Sequence, residues 1–180
     1  MQVEHDFFIG FQDIGINNEI TNKALLEALG NITNIHGNIV GHGTDNIDKT
    51  NISWIVLNWK LEVYSRPKAG KMILAKTWGQ EHSKLQANRD YEVKDENGII
   101  IAKATSRWCA MNTQTRKAEI LIGDVIDRFE CEDENKNFQD FKYEKVKEKE
   151  LKILSKIKMR INKSMIDTNK HVHKIGRAHV

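Results

Sequence analysis

In the stretch Trp54-Ile-Val-Leu-Asn-Trp-Lys-Leu-Glu-Val63, Ile55, Leu57, Trp59, Leu61 and Val63 alternate with polar Asn58, Lys60 and Glu62. A period of two places the apolar set on one face of an extended chain and the polar set on the other. The run is long for a strand, and Arg66-Pro-Lys-Ala-Gly70 ends it as a turn. Three further strands are predicted after it: Met72 to Trp78, Gln86 to Val93, and Ile99 to Met111. Asp95-Glu-Asn-Gly98 between the last two is a hairpin turn, because Asn-Gly tolerates positive φ. Asn112-Thr-Gln-Thr115 turns the last strand.

Ahead of this meander the period changes. Thr21 is a candidate N-cap for Ala24, Leu25, Ala28, Leu29, Ile32 and Ile35, which follow a helical 3–4 spacing. Phe7-Phe-Ile-Gly-Phe11 reads as a short strand, and Gly41-His-Gly-Thr-Asp45 as a polar loop. One helix followed by long antiparallel strands is an α+β pattern. A sheet of such strands must curl, and the helix is the object for it to wrap. That is the layout of a hotdog fold, assigned here to residues 1–129.

The composition shifts at Glu130-Cys-Glu-Asp-Glu134, and residues 130–155 read as a linker. Ile157, Met159 and Ile161 alternate again, so a new strand begins near Lys156. The segment after this strand echoes the N-terminus. Ile14, Asn17 and Ile20 align with Ile166, Asn169 and Val172, while Gly15 and Glu19 stand where the later copy has Asp167 and His171. The later copy, residues 156–173, thus reads as the incomplete start of a second hotdog. The first copy keeps the architecture without the acid and imidazole.

The chain has 180 residues, 39% hydrophobic and 29% charged, with a net charge of +3. These are the proportions of a soluble globular protein, and the charge is too small to suggest nucleic acid. No apolar run approaches the roughly 20 residues of a membrane span. Two cysteines, Cys109 and Cys131, make no disulfide framework and point to a reducing, cytosolic setting.

Several segments together resemble the fatty acyl-ACP thioesterases of bacteria and plants. They are Trp54 to Trp59, Arg66-Pro67, Arg89-Asp90-Tyr91, Ala104-Thr-Ser-Arg-Trp108 and Met111-Asn-Thr-Gln-Thr-Arg116. The resemblance implies two hotdogs in tandem, the first holding the acyl chain and the second catalytic. It makes Asp167, Asn169 and His171 the catalytic residues, within Asp-x-Asn-x-His-Val. Taken alone, Asp-x-Asn is also turn and capping composition. A further downstream acid used by the family has no counterpart here. On this reading the polypeptide is truncated and expected to be inactive as it stands. The substrate implied is a fatty acid in thioester linkage to the phosphopantetheine of acyl carrier protein, with no cofactor and no metal. A homodimer stays open. So do a non-catalytic acyl-binding module and an acyl-CoA thioesterase.

Trp54, Trp59 and Trp78 are candidate walls of the acyl site, since in such a fold the core and the acyl tunnel overlap. The carrier protein is acidic, which makes Arg66, Lys68 and Lys71 on one turn, and Arg116 and Lys117 on another, candidate docking groups. Ile175-Gly-Arg-Ala-His-Val180 back-translates into the opening of a widely used sequencing adapter, with Lys174 supplying its first bases. Residues 174–180 therefore read as a non-native tail.

Overall fold

The structure is a computed structural model that describes residues 1–139, 142–143, 158 and 160–166. The chain divides into two units, Met1–Gln139 and Asp140–Val180. In the first, the helix starts where its cap predicts. Helix α1 spans Asn22–Ile39, and Thr21 Oγ1 accepts the Ala24 N–H at 3.1 Å. Such a cap is worth about 1 kcal/mol. The buried stripe of α1 includes Ala24, Leu25, Ala28, Leu29 and Ile32. It then continues through His36 rather than the expected Ile35. The spacing 25, 29, 32, 36 is the geometric continuation of one helix face, so a polar ring takes a core position.

Five strands surround this helix: β1 Gln2–Phe8, β2 Ile52–Val63, β3 Met72–His82, β4 Ala87–Lys94 and β5 Ile100–Asn112. A short helix, α2 Ile47–Thr50, precedes β2. The sheet is antiparallel in the order β1-β3-β4-β5-β2. This is the α+β hotdog expected. Gly98 adopts φ +78° in the hairpin between β4 and β5, as the Asn-Gly pair requires.

Strand β1 lies earlier than the Phe7–Phe11 segment expected. The Gly10 N–H donates to the Asp13 carboxylate at 2.8 Å, which turns the chain into a 3-10 turn at Phe11–Asp13. Phe11 is left exposed.

Strand β2 departs from its simple alternation. Val56 pairs with Trp108 and Asn58 with Arg107, so Leu57 is an extra residue in a β-bulge. The bulge resets the pleat. Ile52 and Trp54 face inward before it; Trp59, Leu61 and Val63 face inward after it. Leu57 is displaced outward and exposed.

The two faces of the sheet differ chemically. The inner face packs Ile73, Ala75, Tyr91, Val93, Ala102 and Ala104 against α1. The outer face carries a cross-strand row, Glu4, Lys76, Glu92, Lys103 and Glu62, whose signs alternate over all five strands. Lys76 meets Glu4 at 3.4 Å and Lys103 meets Glu92 at 3.1 Å. Such pairs contribute at most about 1 kcal/mol each, but they fix which face is out.

Residues 130–139 pack on this sheet and belong to the first unit. The Glu132 N–H donates to the Gly79 carbonyl at 2.9 Å, on the length of β3 beyond its pairing with β1. At Gly79 a Cβ would stand 2.8 Å from Cys131 Sγ, so any larger residue would force that thiol to shift. The strap then crosses the outer face. Trp78 Nε1–H and the Gln80 amide both donate to the Asn135 carbonyl, the former at 2.7 Å. Asn137 donates its backbone N–H to Asp90 Oδ2 at 2.7 Å and its amide to the Tyr91 carbonyl at 2.7 Å.

In the second unit, Lys163–Met165 form a 3-10 turn followed by extended Ile166. Phe11–Asp13 and Ile14 show the same succession in the first unit, at the positions that the internal repeat aligns.

Candidate functional site

A polar layer lies between the sheet and α1 in the first unit, flanked by two apolar clusters. One cluster centres on Leu25, Leu29, Tyr91 and Val93; the other on Ile52, Leu121, Ile126 and Phe129. Alternation along β4 turns Arg89 and Tyr91 inward and Asp90 outward. Arg89 and Tyr91 are both buried, as is Asp90 under the strap.

Arg89 Nη1 donates to His36 Nδ1 at 2.8 Å and to Thr77 Oγ1 at 3.1 Å. An imidazole nitrogen that accepts from a guanidinium carries no proton, so the His36 proton sits on Nε2. Burial first, then Arg89 and the N-terminal ammonium, lower the His36 pKa from 6.5 to about 3. His36 is therefore neutral at physiological pH. Burial also pulls Arg89 below its ordinary value and pushes Tyr91 above its own.

Tyr91 stands in a directed chain. The indole of Trp108 can only donate, and it does so to Ser106 Oγ at 2.6 Å. Thr33 Oγ1 donates to the Leu29 carbonyl at 2.8 Å, which can only accept. The links between must therefore run Ser106 to Tyr91 OH at 2.9 Å and Tyr91 OH to Thr33 at 2.8 Å. This network positions β4, β5 and α1. It contains no nucleophile paired with a base. Cys109 and Cys131 are no substitute, since burial raises both thiols.

The three tryptophans separate. Trp59 lies inside, 5.1 Å from the Tyr91 ring and 6.2 Å from Trp108. Trp54 lies inside at the other cluster, 5.7 Å from Phe129. Trp78 is on the outer face under Asn135, with the sheet between it and α1. A cavity of about 230 Å³ opens beside α1, lined by Phe7, Ile9, Ile20, Ala24 and Ile73, with Glu27 among its polar residues.

The expected docking groups fall at opposite ends of the sheet. Arg66 donates to the Ile20 carbonyl at 2.7 Å and to Asn22 Oδ1 at 2.5 Å, tying the helix entry to the turn after β2. Lys71 is paired with Glu96 at 2.9 Å. Lys68 sits on the same turn, its backbone in an isolated β-bridge with that of Glu19. Arg116 and Lys117 follow β5 at the far end, about 35 Å away by the length of β2 at roughly 3.3 Å per residue. Both are exposed. One partner surface of ordinary size does not cover both groups.

Asp167, Asn169 and His171 lie outside the described residues, as does the 174–180 tail. Their first-copy counterparts form a turn. Gly15 N–H donates to the Glu19 carbonyl at 2.9 Å, Ile14 bridges Ile20, and Thr21 begins the helix. No cluster of three metal-ligating side chains occurs among the described residues, and there no helix is long and apolar enough to cross a membrane. His36 and the inward pair Arg89 and Tyr91 were not assigned a role from sequence. Their signals were present: His36 by its helical phase, and the pair by alternation in β4.

A helix embraced by this sheet makes the first unit a hotdog domain. Solved structures agree in fold. An acyl-ACP thioesterase from Bacteroides thetaiotaomicron superposes with a TM-score of 0.82 at 22% identity, covering 99% of this chain and 71% of that one. The 12:0-ACP thioesterase from Umbellularia californica gives 0.71 at 21% identity, covering 99% and 72%. The chain belongs to the acyl-ACP thioesterase family: residues 1–129 match its "Acyl-ACP thioesterase N-terminal domain". The chloroplastic oleoyl-acyl carrier protein thioesterase of Coriandrum sativum is 26% identical over 136 residues. That match takes in 72% of this chain but 37% of the plant protein, so the chain spans well under half the length of this curated relative.

Proposed function

We propose that this protein hydrolyses fatty acyl-acyl carrier protein, with residues 1–129 holding the acyl chain and Asp167, Asn169 and His171 supplying the chemistry. The family match over 1–129 carries the reading. Water oxygen bonds to the thioester carbon, the carbon–sulfur bond breaks, and the phosphopantetheine thiolate takes a proton as the fatty acid leaves. Asn169 offers an amide N–H to the developing oxyanion, and His171 moves protons near neutral pH. Asp167 orients the imidazole, activates water or attacks directly. Trp54 and Trp59, both interior, are the favoured acyl contacts. The reducing setting inferred from two free thiols is cytosolic in this proposal.

The test is hydrolysis of acyl-ACP and acyl-CoA by the polypeptide with residues 174–180 replaced by whatever its gene encodes downstream of His173. His171→Ala is expected to lower kcat by about 10²–10⁴-fold, and Asn169→Ala by about 10²–10³-fold. Full activity in both variants refutes the assignment. Binding of acyl-ACP without turnover in the parent protein favours a non-catalytic module instead.

For docking, Arg116 and Lys117 are the better pair, because Arg66 and Lys71 are already engaged within the fold. Reversing both charges is expected to raise KM for acyl-ACP several-fold at low salt, with kcat unchanged, and the effect should shrink as salt screens it. An unchanged KM disposes of this surface.

A further inference from the structure

Three hydrogen-bond donors border the ring of Phe129 within an otherwise apolar cluster. The Arg89 guanidinium carbon lies 5.3 Å from its centroid, the His36 ring 5.3 Å, and the Trp54 ring 5.7 Å. His36 Nε2 and Trp54 Nε1 are both buried without a hydrogen-bond partner. The first carries the His36 proton, as its bond from Arg89 requires, and an indole nitrogen only donates. Two orphan N–H donors and a buried cation thus border one side chain, and the His42 ring stacks on it at 6.5 Å with Nε2 donating to the Asp124 carbonyl and Nδ1 an unpartnered acceptor. Among the described residues no carboxylate is paired with Arg89. Buried donors without acceptors are rare in folded proteins and mark places where a partner is missing. A phenyl face is a weak substitute for oxygen.

We propose that the space filled by Phe129 is a binding site for the carboxylate of a monocarboxylic acid, with Arg89, His36 and Trp54 as its donors and Phe129 as the displaceable plug. Ile52, Ala110, Leu121 and Ile126 share the apolar cluster of Phe129. A charged head against donors and a hydrocarbon stem against that cluster is the layout of a fatty acid. The plug hangs on a 3-10 turn, Asp127–Phe129, that ends at Glu130 with φ +46°. The N-terminal ammonium donates to the Phe129 carbonyl at 3.4 Å, so the backbone stays anchored while the ring rotates away. This site needs no catalysis; it shares Trp54 with the acyl contacts proposed above, and the 1-octanol arm below separates carboxylate recognition from plain acyl binding.

The experiment uses the whole chain with Phe129 intact and as Phe129→Ala, titrated with sodium octanoate, sodium acetate and 1-octanol. Calorimetry and the assigned Trp54 indole N–H resonance are the readouts. Phe129→Ala is expected to bind octanoate at least tenfold more tightly than the parent and to shift the Trp54 indole signal downfield. Acetate eliciting the same shift identifies the carboxylate as sufficient, whereas a response to octanoate alone assigns the site to longer acids. If 1-octanol binds as tightly as octanoate, or the indole signal does not move, the space is an ordinary apolar cavity and the proposal fails. Should Phe129→Ala not fold, Phe129→Leu and Trp54→Phe serve. The first must tighten octanoate binding and the second must weaken it relative to the parent, and any other result overturns the site.

Discussion

Lowering the pH from 6.5 toward 3 is expected to destabilise the first unit by about 1.4 kcal/mol per pH unit through His36 alone. The folded protein keeps this imidazole neutral, with a pKa held down to about 3, whereas the unfolded chain titrates near the ordinary histidine value of 6.5. Between those values the unfolded state binds a proton that the folded state refuses. Stability is then fully present above pH 6.5 and is lost as pH falls. At pH 5 the loss is about 2 kcal/mol, a large fraction of the roughly 5–15 kcal/mol that holds a domain together. Asp90 acts with the opposite sign. Burial raises its carboxyl, so protonation favours the folded state at lower pH. Comparing urea midpoints of the parent and a His36 variant between pH 5 and 7.5 cancels Asp90 and isolates the histidine. His36→Asn keeps an acceptor for Arg89 but cannot titrate, and its stability should fall less steeply over that range. Parallel slopes in parent and variant would mean that His36 titrates in the folded protein.

The same side chain shows how far the sequence could be read. The stripe from Ala24 to Ile32 was legible because burial of aliphatic residues at helical spacing has few alternatives. His36 continued that phase, but its polarity argued for the surface, and only the guanidinium across the interior explains its burial. Strand β2 was legible as a strand yet misread in phase before Leu57. A bulge leaves the composition unchanged and is set by pairing with β5, which no local pattern reveals. The segment from Glu130 read as linker because it is acidic and polar. Its hold on the sheet is made by backbone groups and by Asn135 and Asn137, whose bonds have no compositional signature. The repeat was the most informative pattern. The 3-10 turns at Phe11–Asp13 and Lys163–Met165 fall where Ile14 and Ile166 align, so a short sequence echo is matched by a local conformation. Arg66 and Lys71 looked like a docking patch because sequence shows charge but not the partners that consume it.

Trp78→Ala is expected to cost about 3–5 kcal/mol, the range for removing a large buried aromatic. The indole is 2% exposed although it lies on the solvent side of the sheet, so its burial depends on the strap above it. Truncation removes the packing surface for residues 131–139 and the hydrogen bond to Asn135 together. The bonds that remain nearest the lost ring, Gln80 to Asn135 and Asn137 to Asp90 and Tyr91, then border a void. Asp90 is the group most exposed to that change. Its carboxylate is buried with the Asn137 N–H as a partner, and loss of a buried partner costs about 1–3 kcal/mol more. Trp78→Phe separates the contributions. It keeps most of the apolar surface and loses only the indole hydrogen bond, a change of about 1 kcal/mol, because Gln80 still serves the same carbonyl. Chemical denaturation measures both, and hydrogen exchange at the Asn137 amide reports the strap itself. That amide should lose protection in Trp78→Ala and keep it in Trp78→Phe. A cost below about 1 kcal/mol for the alanine variant, with Asn137 still protected, would mean that the strap holds the outer face without the tryptophan.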